Sequence, residues 1–179
     1  MGVIIEESGL KFGEYSEKQV FHIEECVQYT KSLRQKEIKT CEFILQRGKK
    51  LYFIEAKASS PKEIAEDIPA EDKKHREKSY TDFVEEIVLK MRHSLSLYGN
   101  ILLKRYEQDS LPENMANADL SDTQINLVLV INTEDGNWKP SPELQDALRF
   151  ALRKEINLWR LGNLFVINAE MARKKYFII

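Results

Sequence analysis

Three charged side chains interrupt two otherwise apolar segments of this sequence, and their types could support metal-assisted chemistry on a phosphate. Glu42 lies in CEFIL (41–45), while Glu55 and Lys57 lie in LYFIEAK (51–57). The spacer RGKK between the two segments predicts a tight turn, so the segments should pair as an antiparallel hairpin. A lone charged residue in an apolar strand is usually solvated at an edge, whereas three that converge on one spot would form a site.

The register of the hairpin decides whether these side chains meet. Symmetric pairing about RGKK puts Gln46 opposite Leu51, and continuing outward puts Glu42 directly opposite Glu55. Lys57 lies two residues beyond Glu55, on the same face of the strand. A β-bulge would break this arrangement. In the simple register, two carboxylates and one ammonium share one end of one sheet face.

Such a pair of carboxylates needs a compensating cation, because like charges directly opposite each other destabilise a sheet. Mg²⁺ prefers oxygen ligands, typically one or two carboxylates plus water and substrate phosphate, so Glu42 and Glu55 are candidate metal ligands. A cation there could polarise a phosphate and lower the pKa of a bound water. Lys57 could orient the attacking water or stabilise charge developing on the phosphate. The alternative is a charged end of an amphipathic hairpin, with a surface salt bridge of little energetic worth.

One face of the hairpin is predicted to be covered, and the charged face to be partly covered. Ile44, Leu51 and Phe53 share the charged face, so the charges should cluster where burial ends. The opposite face is apolar or aromatic throughout and should pack under a helix. Its members are Cys41, Phe43, Leu45, Tyr52, Ile54 and Ala56.

The segments before the hairpin are only partly defined by the sequence. VIIEES (Val3–Ser8) predicts a strand, with Gly9 and Gly13 marking turns after it. Gln19–Cys26 is either another strand followed by a short helix, or part of one helix over Glu17–Leu33. Short apolar runs fit both patterns, so this choice stays open.

A long helix is predicted after the hairpin. The polar stretch 59–78 carries two prolines and indicates a loop, with or without a helical turn in it, after which Ser79 can serve as an N-cap. Apolar residues then recur at helical spacing until about Arg105. They are Tyr80, Val84, Ile87, Val88, Met91, Leu95, Tyr98 and Leu102. Lys90 follows Glu86 by four residues, as in an ordinary ion pair along a helix.

The C-terminal part of the chain predicts a strand, a helix and a second strand. Ile125–Thr133 is nearly all apolar and rich in β-branched residues, which is typical of a central strand covered on both faces. Ser141 can cap a helix with proline at its first position, and Gly162 can end it. Asn163–Asn168 predicts a further strand, and 169–179 a short helix or an extended piece.

The composition is that of a globular domain. The chain has 179 residues, and this length together with the order of elements predicts one α/β domain over residues 1–179, with a mixed central sheet flanked by helices. The net charge of -2 means that any contact with nucleic acid would need a local positive patch. The longest apolar run, Leu127–Ile131, is too short for a membrane span, and no signal peptide is indicated. Cys26 and Cys41 lack zinc-site spacing, which fits a reducing cytoplasm.

At CEF and IEAKAS the sequence resembles the PD-(D/E)XK nuclease superfamily, the restriction-endonuclease-like proteins. That family places an acidic residue on one hairpin strand and (D/E)-x-K on the next. The resemblance implies that Glu42 and Glu55 bind Mg²⁺ or Mn²⁺ and that Lys57 assists phosphodiester hydrolysis. All three would then be catalytic residues.

The resemblance covers about two thirds of the chain. The family core is a helix, a three-strand meander, a second helix and a further strand, and Glu17–Thr133 looks similar. Many members carry an acidic residue on the first helix, a role that Glu24 or Glu25 could fill. The sequence departs from the family pattern in having Cys41 in place of the usual proline, and Glu42 in place of the commoner aspartate.

The resemblance implies a cytoplasmic, metal-dependent nuclease that does not act at a membrane. Its expected substrate is DNA, with RNA as the second choice. The alternative is a catalytically inactive nuclease-like fold that binds nucleic acid or protein as a subunit of a larger complex. A third possibility is a subunit whose activity appears only in a complex, because no separate DNA-reading module is evident in the sequence. A protein partner or a homodimer is compatible with these interpretations.

Overall fold

The structure is a computed structural model that describes residues 2–61, 69–106, 111–134 and 136–179. Its strands are β1 Gly2–Glu7, β2 Leu10–Ser16, β3 Val20–Phe21, β4 Phe43–Arg47, β5 Lys50–Lys57, β6 Gln124–Ile131 and β7 Leu164–Asn168. Its α-helices are α1 Ala70–Leu102, α2 Glu113–Ala116, α3 Pro142–Ala151, α4 Arg153–Leu158 and α5 Ala169–Lys174. Between β3 and β4 the chain forms 3₁₀ turns at Ile23–Glu25 and Arg34–Lys36 and a π-helix at Tyr29–Leu33.

The main sheet has five strands in the order β3-β4-β5-β6-β7, and β1 and β2 form a separate two-stranded sheet. β3, β4 and β5 are antiparallel neighbours, whereas β5, β6 and β7 are parallel. A parallel pair needs a crossover connection, and α1 lies in the one between β5 and β6. The predicted α/β class with a mixed sheet and flanking helices is confirmed.

The side chains of the main sheet alternate between two hydrophobic clusters, one on each face. On one face Phe53 and Leu129 pack with Met91, Leu95 and Tyr98 of α1. The rings of Phe53 and Tyr98 meet edge to face, with centroids 5.5 Å apart. This is the face on which the charged end of the hairpin lies.

The opposite face is covered mainly by another β-hairpin rather than by a helix. Phe43 and Ile54 pack there with Phe12 and Tyr15 of the β1–β2 sheet, and with Phe177 near the C-terminus. The predicted helical cover is therefore wrong except for the short α5. A strand pair can cover this face because its own alternation presents one apolar side.

The helix α1 begins at Ala70, before the predicted cap Ser79, which lies inside the helix. Pro69 occupies the N-cap, and Glu71 and Asp72 lie in the first turn, where carboxylates interact favourably with the helix dipole. The first turns of the helix are exposed almost throughout, and their sequence carries no apolar period. Of the predicted loop 59–78, positions 62–68 lie outside the described residues.

Before the hairpin, β1 confirms the predicted N-terminal strand and Gly9 lies in the turn that follows it. Gly13 lies within β2 rather than in a turn, with a φ of 141° beside a register shift of the β1–β2 pair. The open choice at Gln19–Cys26 is settled in favour of a strand followed by helical turns. The strand is only the two residues of β3.

The C-terminal elements follow the prediction closely. β6 is the buried central strand, and the Ser141 hydroxyl accepts a hydrogen bond of 3.3 Å from the Leu144 amide at the start of α3. The helix breaks at Leu152 and ends at Leu158, before the predicted stop at Gly162. After α5 the chain turns at Lys175 and Tyr176, and Ile178 then forms an isolated bridge with Phe12 of β2. None of the described helices combines the length with the apolar character that a bilayer crossing demands.

Candidate functional site

The hairpin of β4 and β5 has the predicted register up to its last pair. Gln46 lies opposite Leu51, and the ladder ends where Phe43 pairs with Ile54. The amide of Glu42 donates to the carbonyl of Ile54 at 3.0 Å, so two residues at the end of β4 face one residue of β5. This is the bulge geometry that simple pairing does not include.

Cys41 is displaced by this irregularity. It was predicted on the face opposite the charges, but it lies in the cluster that packs against α1. Its amide donates to the hydroxyl of Ser94 on α1 at 2.7 Å, and that hydroxyl donates to the Lys90 carbonyl at 2.7 Å. A backbone hydrogen bond therefore attaches the segment carrying Glu42 to the helix that carries Lys90.

The structure brings Glu42 and Glu55 together through the ammonium of Lys90. Lys90 Nζ lies 2.8 Å from Glu55 Oε1 and 3.3 Å from Glu42 Oε1. A third carboxylate, Glu24 Oε1, lies 3.8 Å from the same nitrogen. Of the two acidic residues considered before the hairpin, Glu24 joins the cluster, whereas Glu25 pairs with His22.

Lys57 lies beside this cluster, at the end of β5. Its Nζ is 3.5 Å from Glu55 Oε1 and 2.8 Å from Glu86 Oε1 on α1. Glu86 therefore pairs with Lys57 across elements and not with Lys90 along the helix. We call Glu24, Glu42, Glu55, Glu86, Lys57 and Lys90 the carboxylate–lysine cluster.

Sequence reasoning missed the roles of Lys90 and Glu86. A signal for Lys90 was present, because it lies three residues after Ile87 and four before Ser94, both of which are buried. A charged residue on the apolar face of a helix needs a buried partner. The spacing to Glu86 suggested an intrahelical pair, which hid that requirement.

Burial controls the protonation of the cluster. The side chain of Glu55 is fully buried, and this burial raises its pKa, partly offset by the charge of Lys90 and reinforced by Glu42. Burial and the neighbouring Glu42 likewise raise the pKa of Glu24. Burial disfavours the charged form of Lys90, but the charges of Glu55 and Glu42 outweigh it, so its pKa lies above the usual value. The cluster thus holds a firmly charged ammonium beside two carboxyls, those of Glu24 and Glu55, that retain protons readily.

One carboxylate oxygen is left over. Oε1 of Glu55 faces both lysines, but Oε2 is buried and has no hydrogen-bond partner among the described residues. An unpaired buried carboxylate oxygen is costly, so it favours a proton or a cation close by. Glu24, Glu42 and Glu55 also offer only oxygen donors, which Mg²⁺ and Mn²⁺ prefer, and in that respect these residues fit such an ion.

The described ranges contain no group of three His, Cys, Asp or Glu side chains placed to hold a metal ion. Glu24, Glu42 and Glu55 instead share Lys90. In comparisons with known proteins the chain matches no family model, no curated protein and no solved structure. The PD-(D/E)XK resemblance and the metal site therefore rest on this chain's own residues.

Proposed function

We propose that this protein is a metal-dependent nuclease with a PD-(D/E)XK-like core that hydrolyses phosphodiester bonds of DNA or RNA. The observation that carries the proposal is the meeting of Glu42, Glu55 and Lys57 within the carboxylate–lysine cluster. Two carboxylates there share one cation, and a second ammonium lies 3.5 Å from Glu55. These are the residues that the sequence pattern assigns to this chemistry.

The strand topology supports the proposal with one departure. β3, β4 and β5 form a meander, α1 follows, and β6 returns parallel to β5. This is the order of the family core after its first helix. Here the helical turns at 23–36 lie between β3 and β4 instead of before the meander.

Each residue has a role in this proposal. Glu42 and Glu55 would hold the metal ion, with Glu24 close enough to contribute, and a bound ion would supply Lewis-acid activation of the phosphate and of a water. Lys57 orients the attacking water or stabilises the negative charge that develops on the phosphate. Glu86 holds the Lys57 ammonium in position through its contact of 2.8 Å.

The test is cleavage of labelled single- and double-stranded DNA and RNA with Mg²⁺ or Mn²⁺, comparing wild-type protein with Lys57→Ala. Lys50→Ala is the matched control, because Lys50 is an exposed lysine on the same strand. We expect wild type and Lys50→Ala to cut, chelator to stop both, and Lys57→Ala to lose at least 100-fold in rate. Equal cleavage by Lys57→Ala would sink the proposal.

A second candidate is a nuclease-like binding module that does not cut. Lys90 favours it, because this ammonium already pairs with both Glu42 and Glu55 without a metal ion. In that case wild-type protein and Lys57→Ala would both bind nucleic acid or capture a protein subunit, and neither would cleave with any divalent metal.

A further inference from the structure

We infer that Lys90 is an internal counter-cation that competes with a divalent metal for Glu42 and Glu55, so that metal binds only when the Lys90 ammonium withdraws. This inference rests on the proposed function, because it concerns the same carboxylates. It assigns to Lys90 a regulatory role that is separate from the chemistry of Lys57.

The competition follows from the distances. Lys90 Nζ contacts the same two oxygens, Glu55 Oε1 and Glu42 Oε1, at 2.8 and 3.3 Å. A magnesium ion ligated by them would lie about 2 Å from each. That position overlaps the ammonium, and two positive ions so close together repel strongly in a buried setting.

The remaining oxygen of Glu55 does not offer a way around Lys90. Glu55 Oε2 is buried, so an ion can reach it only if the carboxylate turns. Turning the carboxylate also breaks the contact between Oε1 and Lys90. Both routes to a metal ion ligated by Glu55 therefore give up the contact between Lys90 and Glu55.

The Lys90 ammonium can move toward the more exposed side of the cluster, where Glu24 lies. Its side chain is 12% exposed, and of its three carboxylate partners Glu24 is the most exposed, at 32%. The flexible four-carbon stem lets the ammonium swing toward Glu24 and solvent while its backbone stays in α1. If the withdrawn arrangement is populated one time in ten or less, it weakens metal binding by about tenfold or more.

The experiment is calorimetric titration of the full chain with MnCl₂ and no nucleic acid. We expect Lys90→Gln to bind Mn²⁺ at least tenfold more tightly than wild type, and Lys90→Arg, which keeps the charge, to bind no more tightly. Lys49→Gln is the control, because Lys49 pairs with Asp122 away from the cluster, and should match wild type. A Lys90→Gln protein that binds Mn²⁺ no better than wild type would overturn the inference.

A second measurement uses wild-type protein and so does not depend on the folding of a variant. Reductive methylation followed by peptide mass spectrometry should show Lys90 modified faster with Mn²⁺ present, with Lys49 unchanged. Unchanged protection of Lys90 at saturating Mn²⁺ would contradict the inference. Neither readout needs cleavage. Tight Mn²⁺ binding by Lys90→Gln together with no cleavage by wild-type protein would therefore contradict the proposed function and leave this inference standing. Metal-dependent cleavage with Lys90 still protected would fail this inference alone.

Discussion

Lys57 Nζ lies 2.8 Å from Glu86 Oε1, so an ion pair joins the end of β5 to α1. Burial opposes ionisation of Glu86, but the hydrogen bond and charge of Lys57 outweigh it and hold its pKa below the usual range. Lys57 is thus held by a carboxylate outside the proposed pair of metal ligands.

Glu86→Gln should slow cleavage because Lys57 loses the charged partner that positions it. We expect kcat to fall on the order of 10-fold, as when a supporting residue around a metal site is lost. Mn²⁺ affinity should stay unchanged, since Glu86 is not a proposed ligand. Glu85→Gln is the control, because Glu85 is exposed on the same helix. Steady-state kinetics with calorimetry distinguishes these outcomes, and a loss of metal affinity without a fall in kcat would contradict the assignment.

Ser94→Ala should destabilise the protein, because it leaves the buried Cys41 amide without its hydrogen-bond acceptor. The expected loss is about 1–3 kcal/mol in the free energy of unfolding, the usual cost of an unpaired buried polar group. Urea unfolding measures it. Ser96→Ala is the matched control, since Ser96 is exposed two residues further along α1, and it should change stability little. Equal effects from both substitutions would remove the proposed anchoring role of Ser94.

Gly99→Ala should also destabilise, because the added Cβ would lie 2.7 Å from the far end of the Trp159 ring. Overpacking of this kind costs about 1–3 kcal/mol. In a Trp159→Ala background the clash is absent, and the same substitution should stabilise by up to about 1 kcal/mol through helix propensity. A double-mutant cycle by thermal unfolding tests this reversal of sign; additive effects would show that the two residues do not press on each other.

Alkaline pH should unfold the protein partly through Tyr98. This side chain is fully buried, and burial raises its pKa to about 12. The folded state therefore keeps the phenol proton that the unfolded chain releases near pH 10, so stability is full below about pH 10 and falls as pH rises toward 12. The slope contributed by one group is at most about 1.4 kcal/mol per pH unit.

Tyr98→Phe should reduce the loss of stability with rising pH. Urea unfolding between about pH 8 and about pH 11, on either side of the usual tyrosine pKa of about 10, measures this loss. Tyr176→Phe serves as the comparison, because Tyr176 is 79% exposed. Part of the slope should survive in Tyr98→Phe, since burial also raises the pKa of Tyr15. An unchanged slope in Tyr98→Phe would mean that another group controls alkaline unfolding.

The register of the main hairpin was predictable because a short turn and strict alternation leave few choices. Gln46 and Leu51 pair as expected, and Glu55 and Lys57 reach the same end of the sheet. The strands β6 and β7 were equally clear, since a continuous β-branched run is typical of a strand buried on both faces. Period and turn chemistry are local properties, and these elements depend on little else.

The elements that were missed depend on contacts distant in the sequence. The bulge at Glu42 is coupled to a hydrogen bond from Cys41 to Ser94 on α1, which no local pattern reveals. The first turns of α1 are exposed and lack an apolar stripe, and only Pro69 at the N-cap and the carboxylates of the first turn mark where the helix begins. The sequence spacing suggests that Lys90 pairs with Glu86 along the helix, and only the packing of α1 on the sheet shows that its partner is Glu55.

The parallel pairing of β5 with β6 bears on how the site comes into being during synthesis. Every charged group of the carboxylate–lysine cluster is made before β6, whose first residue, Gln124, pairs with Lys50. Pairings between distant parts of a chain form slowly. Glu55 lies beside Leu129 in the finished sheet, so its burial is completed only after β6 emerges. Glu55 therefore reaches its full burial, and the raised pKa that burial causes, only once β6 has been made and has paired with β5.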